Sequence, residues 1–158
     1  EECYKVLINK YFPENYDTSP IVDVISTAVK QRHGTSILIM EDAYSETKRL
    51  CDANRGIRIK RKCMSNYLQI LEKMTSIDGA ILLDLQCNCW GIGIILDGNA
   101  IVYGNNSRGA RYNSVHNYVA NKKTDGKICI GIIISEDGMV NIVSASEMTD
   151  ENIIMNKN

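Results

Sequence analysis

At 158 residues, 44% hydrophobic and 23% charged, the chain has the length and composition of one globular domain, which excludes disordered and fibrous classes. Eighteen basic residues against nineteen acidic ones give a formal net charge of -1, so no global field draws in nucleic acid or an anionic membrane, and an anionic ligand needs a local site. The longest apolar runs, at 80–83 and 130–134, fall far short of the roughly 18 residues that cross a bilayer, so no membrane segment is expected.

The chain starts at Glu1 with neither Met nor a secretory leader, and is expected to be part of a longer protein. After a short N-terminal segment, Ser19-Pro20 reads as an N-cap followed by proline at the first helical position. Ile21, Val24, Ile25, Ala28 and Val29 then repeat at helical spacing, to an end near His33-Gly34. Residues 36–40, SILIM, lie between glycine and acids and read as a buried strand. Residues 42–53 read as a half-exposed helix with Ala43, Thr47, Leu50 and Cys51 inward, 56–60 as a strand, and 65–74 as a helix with Leu68, Leu71 and Met74 inward.

From Asp78 onward strands crowd together at 80–84, 91–96 and 100–103, followed by a helix over about 111–121 and strands at 128–134 and 139–143. Asp97-Gly98 and Asp137-Gly138 are hairpin-turn signals, so the second half holds antiparallel pairs. The expected fold is α/β: a mixed central β-sheet flanked by helices on both faces, in a single domain over 1–148, with a polar, frayed tail over 149–158. Six scattered cysteines in a chain large enough to fold without staples point to free thiols in a reducing compartment, the cytoplasm. Cys87-Asn88-Cys89 is the one close pair, and it lacks the second pair of a structural zinc site.

Three segments combine glycine, charge and a place at the edge of an element. Asp78-Gly79-Ala80 precedes a buried run, where a carboxylate can hold a divalent cation and small residues let a ligand approach the backbone; Asp-Gly is equally the signature of a plain turn. Residues 104–114 form a polar loop carrying Arg108 and Arg111 that runs into a helix. Unpaired N–H groups at a helix start and two guanidiniums suit phosphate oxygens, while the other reading is a solvated loop with a capping side chain. Ser135-Glu136-Asp137-Gly138 puts two acids after an apolar strand, either to share a metal with Asp78 or to make an ordinary hairpin turn. Residues 32–36, Arg-His-Gly-Thr-Ser, either reach a ligand or simply turn the chain from helix to strand.

This ordered triple resembles the diadenylate cyclase domain family over about 21–143. The resemblance implies a mixed sheet flanked by helices, and the joining of two ATP molecules into cyclic di-AMP with release of pyrophosphate, using Mg or Mn. It further implies that two copies face each other, so that a homodimer or higher oligomer is the active form.

Residue by residue, the family's Asp-Gly-Ala falls on Asp78, Gly79 and Ala80, implying that Asp78 is catalytic and a metal ligand and that Gly79 and Ala80 touch nucleotide. Its Gly-Thr-Arg-His-Arg falls on Gly109, Ala110, Arg111, Tyr112 and Asn113, with Arg111 catalytic and its neighbours, together with Arg108 and Ser114, at the nucleotide. Tyr112 stands where the family has histidine and Asn113 where it has a second arginine, a loss that Arg108 can partly offset. The family's Ser-Glu-Glu-Thr-Gly resembles Ser135 to Gly138 with one residue fewer, implying Ser135 at the nucleotide and Glu136 or Asp137 at the metal. The departures at 112 and 113 raise a rival expectation, a catalytically weak sensor that binds ATP or a cyclic dinucleotide. A third is an interaction module whose turns bind nothing.

Overall fold

A computed structural model of the chain describes residues 2–98 and 109–148. Its centre is β1 (Thr35–Met40), buried at all six positions, as an uninterrupted apolar run requires when both faces of a strand are covered. It lies parallel to β3 (Ala80–Leu83) and antiparallel to β5 (Cys129–Ile134), both equally buried. Outward from β3 come β4 (Asn88–Ile94) and then β2 (Ile57–Cys63), and outward from β5 comes β6 (Val140–Ser144), giving the order β2-β4-β3-β1-β5-β6. One parallel pair among antiparallel ones makes the sheet mixed.

Strand alternation sorts the core into two layers. Ile37, Ile39, Ile81, Leu83, Ile130 and Ile132 face α1 (Glu2–Asn9), α2 (Ser19–Val29) and α4 (Leu71–Thr75). Leu38, Met40, Ala80, Leu82 and Ile133 face α3 (Ala43–Asp52) and α5 (Gly109–Asn121). Helices therefore cover both faces, as expected. Each fully buried Ile or Leu in these layers contributes roughly 1.5–3 kcal/mol.

Local chemistry explains where the boundaries differ from the sequence pattern. The residue flanking α2 is Thr18, one position before the expected Ser19, because the Asp17 carboxylate accepts from the Ser19 amide (3.0 Å) and draws Ser19 and Pro20 into the first turn. The helix expected over 65–74 is broken into 3-10 turns at Met64–Asn66 and Leu68–Ile70 ahead of the short α4. The break falls at Tyr67, whose φ of -133° lies outside the helical range. β4 starts at Asn88, earlier than expected, because Asp84 organises a tight hairpin, accepting from the amides of Gln86 (3.0 Å) and Asn88 (2.9 Å) and from Trp90 Nε1 (2.9 Å). The turn at Asp137-Gly138 is a hairpin as expected, closed by the Gly138 amide donating to the Ser135 carbonyl (3.0 Å). The strand expected at 100–103 and the tail from 149 lie outside the described residues.

The face carrying α3 and α5 holds an ion-pair network around Glu46, which is 7% exposed. Arg49 grips it through Nε and Nη2 (3.0 Å each) and also reaches Asp97; Tyr118 donates to it at 2.6 Å, and Lys122 lies 3.1 Å away. Burial alone would raise this carboxyl, but the donors outweigh it and hold Glu46 at about 2. Among the described residues no helix is long and apolar enough to cross a membrane.

Candidate functional site

One row of residues runs in register across four strands: Ile94 opposite Ala80, Ala80 opposite Ser36, and Ser36 opposite Ile133. Period-two alternation puts this row on the face that α5 covers. Farther along the sheet α5 sits close, because Gly131 has no side chain: a Cβ there would lie 2.3 Å from Val115 Cγ1. Val115 is thus seated on β5, and the first turn of α5 reaches out over the row. Small side chains at Ala80 and Ser36 leave a cavity of about 910 Å³ beneath it. The cavity opens at the amino ends of the two parallel strands β1 and β3 and the carboxyl ends of β4 and β5.

The three segments singled out in the sequence meet here. Asp78, Gly79 and Ala80 line one wall, Gly109, Ala110, Arg111, Tyr112 and Ser114 the roof, and Ser135 the far side. Asn113, Glu136 and Asp137 do not line it, and Arg108 lies outside the described residues. Sequence reasoning missed the apolar part of the lining: Ile94 at the end of β4 with Ile95 and Leu96 past it, Ile133 and Ile134 on β5, and Met139 just before β6 with Asn141 on it. The available signal was the exposure of Ile95 (59%) and Met139 (61%), which only the fold reveals. Ser36, from the segment over 32–36 with two open readings, is in the lining.

Asp78 is exposed at the entrance to β3 and accepts from the Gly79 amide at 3.0 Å. Gly79 has φ +107°, and a Cβ there would sit 2.5 Å from the Gly93 carbonyl carbon, so the chain passes backbone to backbone as it delivers Asp78. Arg111 comes from the first turn of α5, and its guanidinium packs over the Gly34 backbone. The Tyr112 ring lines the cavity and stacks on buried His116, with centroids 5.8 Å apart and planes inclined by 25°.

The acid turn forms a closed local unit. Ser135 Oγ donates to Asp137 and accepts from the Met139 amide (3.0 Å), and the Ser135 hydroxyl holds the Asp137 carboxyl below its usual range. Among the described residues no three His, Cys, Asp or Glu side chains converge on one point. A single carboxylate at Asp78 still suits a magnesium-type ion, which keeps several waters and takes its remaining oxygens from substrate phosphates.

Elsewhere the chemistry is subdued. All six cysteines are free, and burial pushes the Cys87, Cys89 and Cys129 thiols up to about 12, far from reactive thiolates. Among the described residues the cavity offers one carboxylate, one guanidinium, a helix start and an apolar wall. Those groups suit a ligand with an anionic end and a flat apolar end. Compared with known proteins, the chain matches no family model and no curated protein.

Proposed function

We propose that the chain is a cytoplasmic diadenylate cyclase-type nucleotidyltransferase that condenses two ATP molecules into cyclic di-AMP and releases pyrophosphate. The observation that carries this reading is the meeting of Asp78-Gly79-Ala80, the start of α5 with Arg111, and Ser135 in one cavity, although they are far apart in sequence. Its volume of about 910 Å³ lies within the range of small-molecule sites and has room for a nucleotide.

In this reading the base lies along Ile94, Leu96 and Tyr112, and the phosphates face Arg111 and the N-terminal turn of α5. Each ribose 3′ oxygen attacks the α-phosphorus of the ATP held by a second copy. A 3′–5′ phosphodiester forms, the bond to the β-phosphate oxygen breaks, and pyrophosphate leaves. Asp78 orients the 3′ hydroxyl and takes its proton, while Arg111 neutralises charge on the phosphoryl oxygens. A bound Mg or Mn ion, held by Asp78 and phosphate oxygens, would supply further charge neutralisation.

One observation favours a second reading, a sensor that binds ATP or a cyclic dinucleotide without turning it over. Among the described residues Arg111 is the sole cation lining the cavity, and removing one charge-stabilising donor from such a site costs on the order of 100-fold in rate. Incubating the concentrated protein with ATP and Mg or Mn and searching for cyclic di-AMP by mass spectrometry separates the two. Product that vanishes in Asp78→Asn supports the cyclase. ATP binding without product supports the sensor, and neither binding nor product leaves an interaction module.

A further inference from the structure

Among the described residues β2 forms one outer edge of the sheet, paired only with β4. Its sequence, IRIKRKC, sets Arg58, Lys60, Arg61 and Lys62 within seven residues, in a chain whose net charge is -1. Arg55, just before it, is occupied with the carbonyls of Ile95 (3.1 Å) and Leu96 (3.2 Å). The four strand cations make no ion pair among the described residues. Asp52, whose carboxylate interacts with Arg58 at longer range, is itself paired with Lys48. Arg58, Lys60 and Arg61 are exposed; Arg61 lies 6.0 Å from the Trp90 ring centroid and Lys62 lies 4.9 Å from that of Tyr67.

A basic edge excludes one partner and suits another. Pairing β2 with a second copy of itself would set cations opposite cations, which is how edge lysines block self-association. An acidic strand meets the opposite situation. Arg58, Lys60, Arg61 and Lys62 set cations along β2, where acidic side chains of an added strand would lie beside them. The register with β4 shifts between Arg58 and Lys62, where β2 carries two residues more than the facing stretch of β4. A nucleic acid would use the cations but leave the outward row of backbone N–H and C=O groups unpaired, whereas an extended polypeptide satisfies both.

We propose that the outer edge of β2 is a docking strand for an acidic, extended segment of another protein, which adds to the sheet as a further strand. No β2 residue lines the cavity, so the interaction is separate from the nucleotide reading.

The test is fluorescence anisotropy of a labelled peptide of alternating Glu and Val against the full 158-residue chain. The expected results are saturable binding, slowed amide exchange at 57–63 on adding peptide, and affinity reduced about tenfold or more in Lys60→Glu/Arg61→Glu at an unchanged thermal midpoint. Arg58→Glu, at an exposed position, gives the same readout should the double variant misfold. Lack of peptide binding, or exchange at 57–63 that does not slow, overturns the proposal. Equal binding of an alternating Glu-Pro peptide, which lacks half the backbone donors, reduces it to charge alone and overturns strand addition. Tighter binding of an oligothymidylate than of the Glu-Val peptide overturns it in favour of nucleic acid.

Discussion

The Arg111 guanidinium occupies the space above Gly34 that a side chain there would need: a Cβ on Gly34 would lie 2.6 Å from Arg111 Nη1 and 3.1 Å from the Ile134 carbonyl oxygen. The two residues are 77 positions apart, yet the turn that leads into β1 is the platform on which the cavity's one described cation rests. Gly34→Ala should push the guanidinium aside. Because the flexible arginine gives way readily and the Ile134 carbonyl need yield only a few tenths of an ångström, the thermal midpoint should fall modestly while ATP affinity falls about tenfold. Isothermal titration of ATP against wild type and variant checks this, and unchanged affinity would remove Arg111 from the phosphate site.

Gly79 behaves differently because its neighbours are backbone atoms. With φ +107° and a Cβ position 2.5 Å from the Gly93 carbonyl carbon and 2.8 Å from the Ile94 amide nitrogen, nothing nearby can rotate away. Gly79→Ala should cost about 2–4 kcal/mol in folding free energy. Urea denaturation at neutral pH measures it, and a loss under about 1 kcal/mol would show that β3 and β4 are not held this tightly.

Glu46 should give the protein an acid-sensitive stability. Burial would raise its carboxyl, but bonds from Arg49, Tyr118 and Lys122 hold it at about 2, against 4.5 when unfolded. A depressed carboxyl stabilises the fold fully above the unfolded value, and that contribution fades as pH falls from about 4.5 toward about 2. Glu46→Gln should lose about 2–3 kcal/mol near neutral pH and show a flatter decline across that window. Thermal midpoints of both proteins across the acid range report it, and parallel curves would refute it.

Thiol reactivity should divide the cysteines by burial. Cys3 is exposed and Cys51 and Cys63 are half-buried, whereas Cys87, Cys89 and Cys129 are buried with thiols near 12. Iodoacetamide at mildly alkaline pH should label Cys3 first, Cys51 and Cys63 more slowly, and the other three only after unfolding. Peptide mass mapping reads the order, and early labelling of Cys129 would contradict the packing of β5.

Much of the fold was legible because it rests on local patterns. The SILIM run reads as a buried strand, and the Asp137-Gly138 turn closes the hairpin it announces. The helix at 65–74 was misread because Leu68, Leu71 and Met74 keep helical spacing while Tyr67 leaves helical φ. Glu46 gave no sign of burial, since its burial depends on Tyr118 and Lys122 more than 70 residues away. Asp84 likewise reads as a common turn residue, and its hold on Trp90 appears only once β4 folds back.

The sequence by itself determined the α/β class, the order of most elements and the three polar segments, because hydrophobic periodicity and turn chemistry act between near neighbours. The tertiary structure alone decided that Asp78, Arg111 and Ser135 share one cavity, that Glu136 and Asp137 stay in their own turn, and that Gly34 and Gly131 make room for α5 and its arginine. Those outcomes depend on strand register and helix seating, which are set by packing between residues distant in the chain and leave no periodic trace within it.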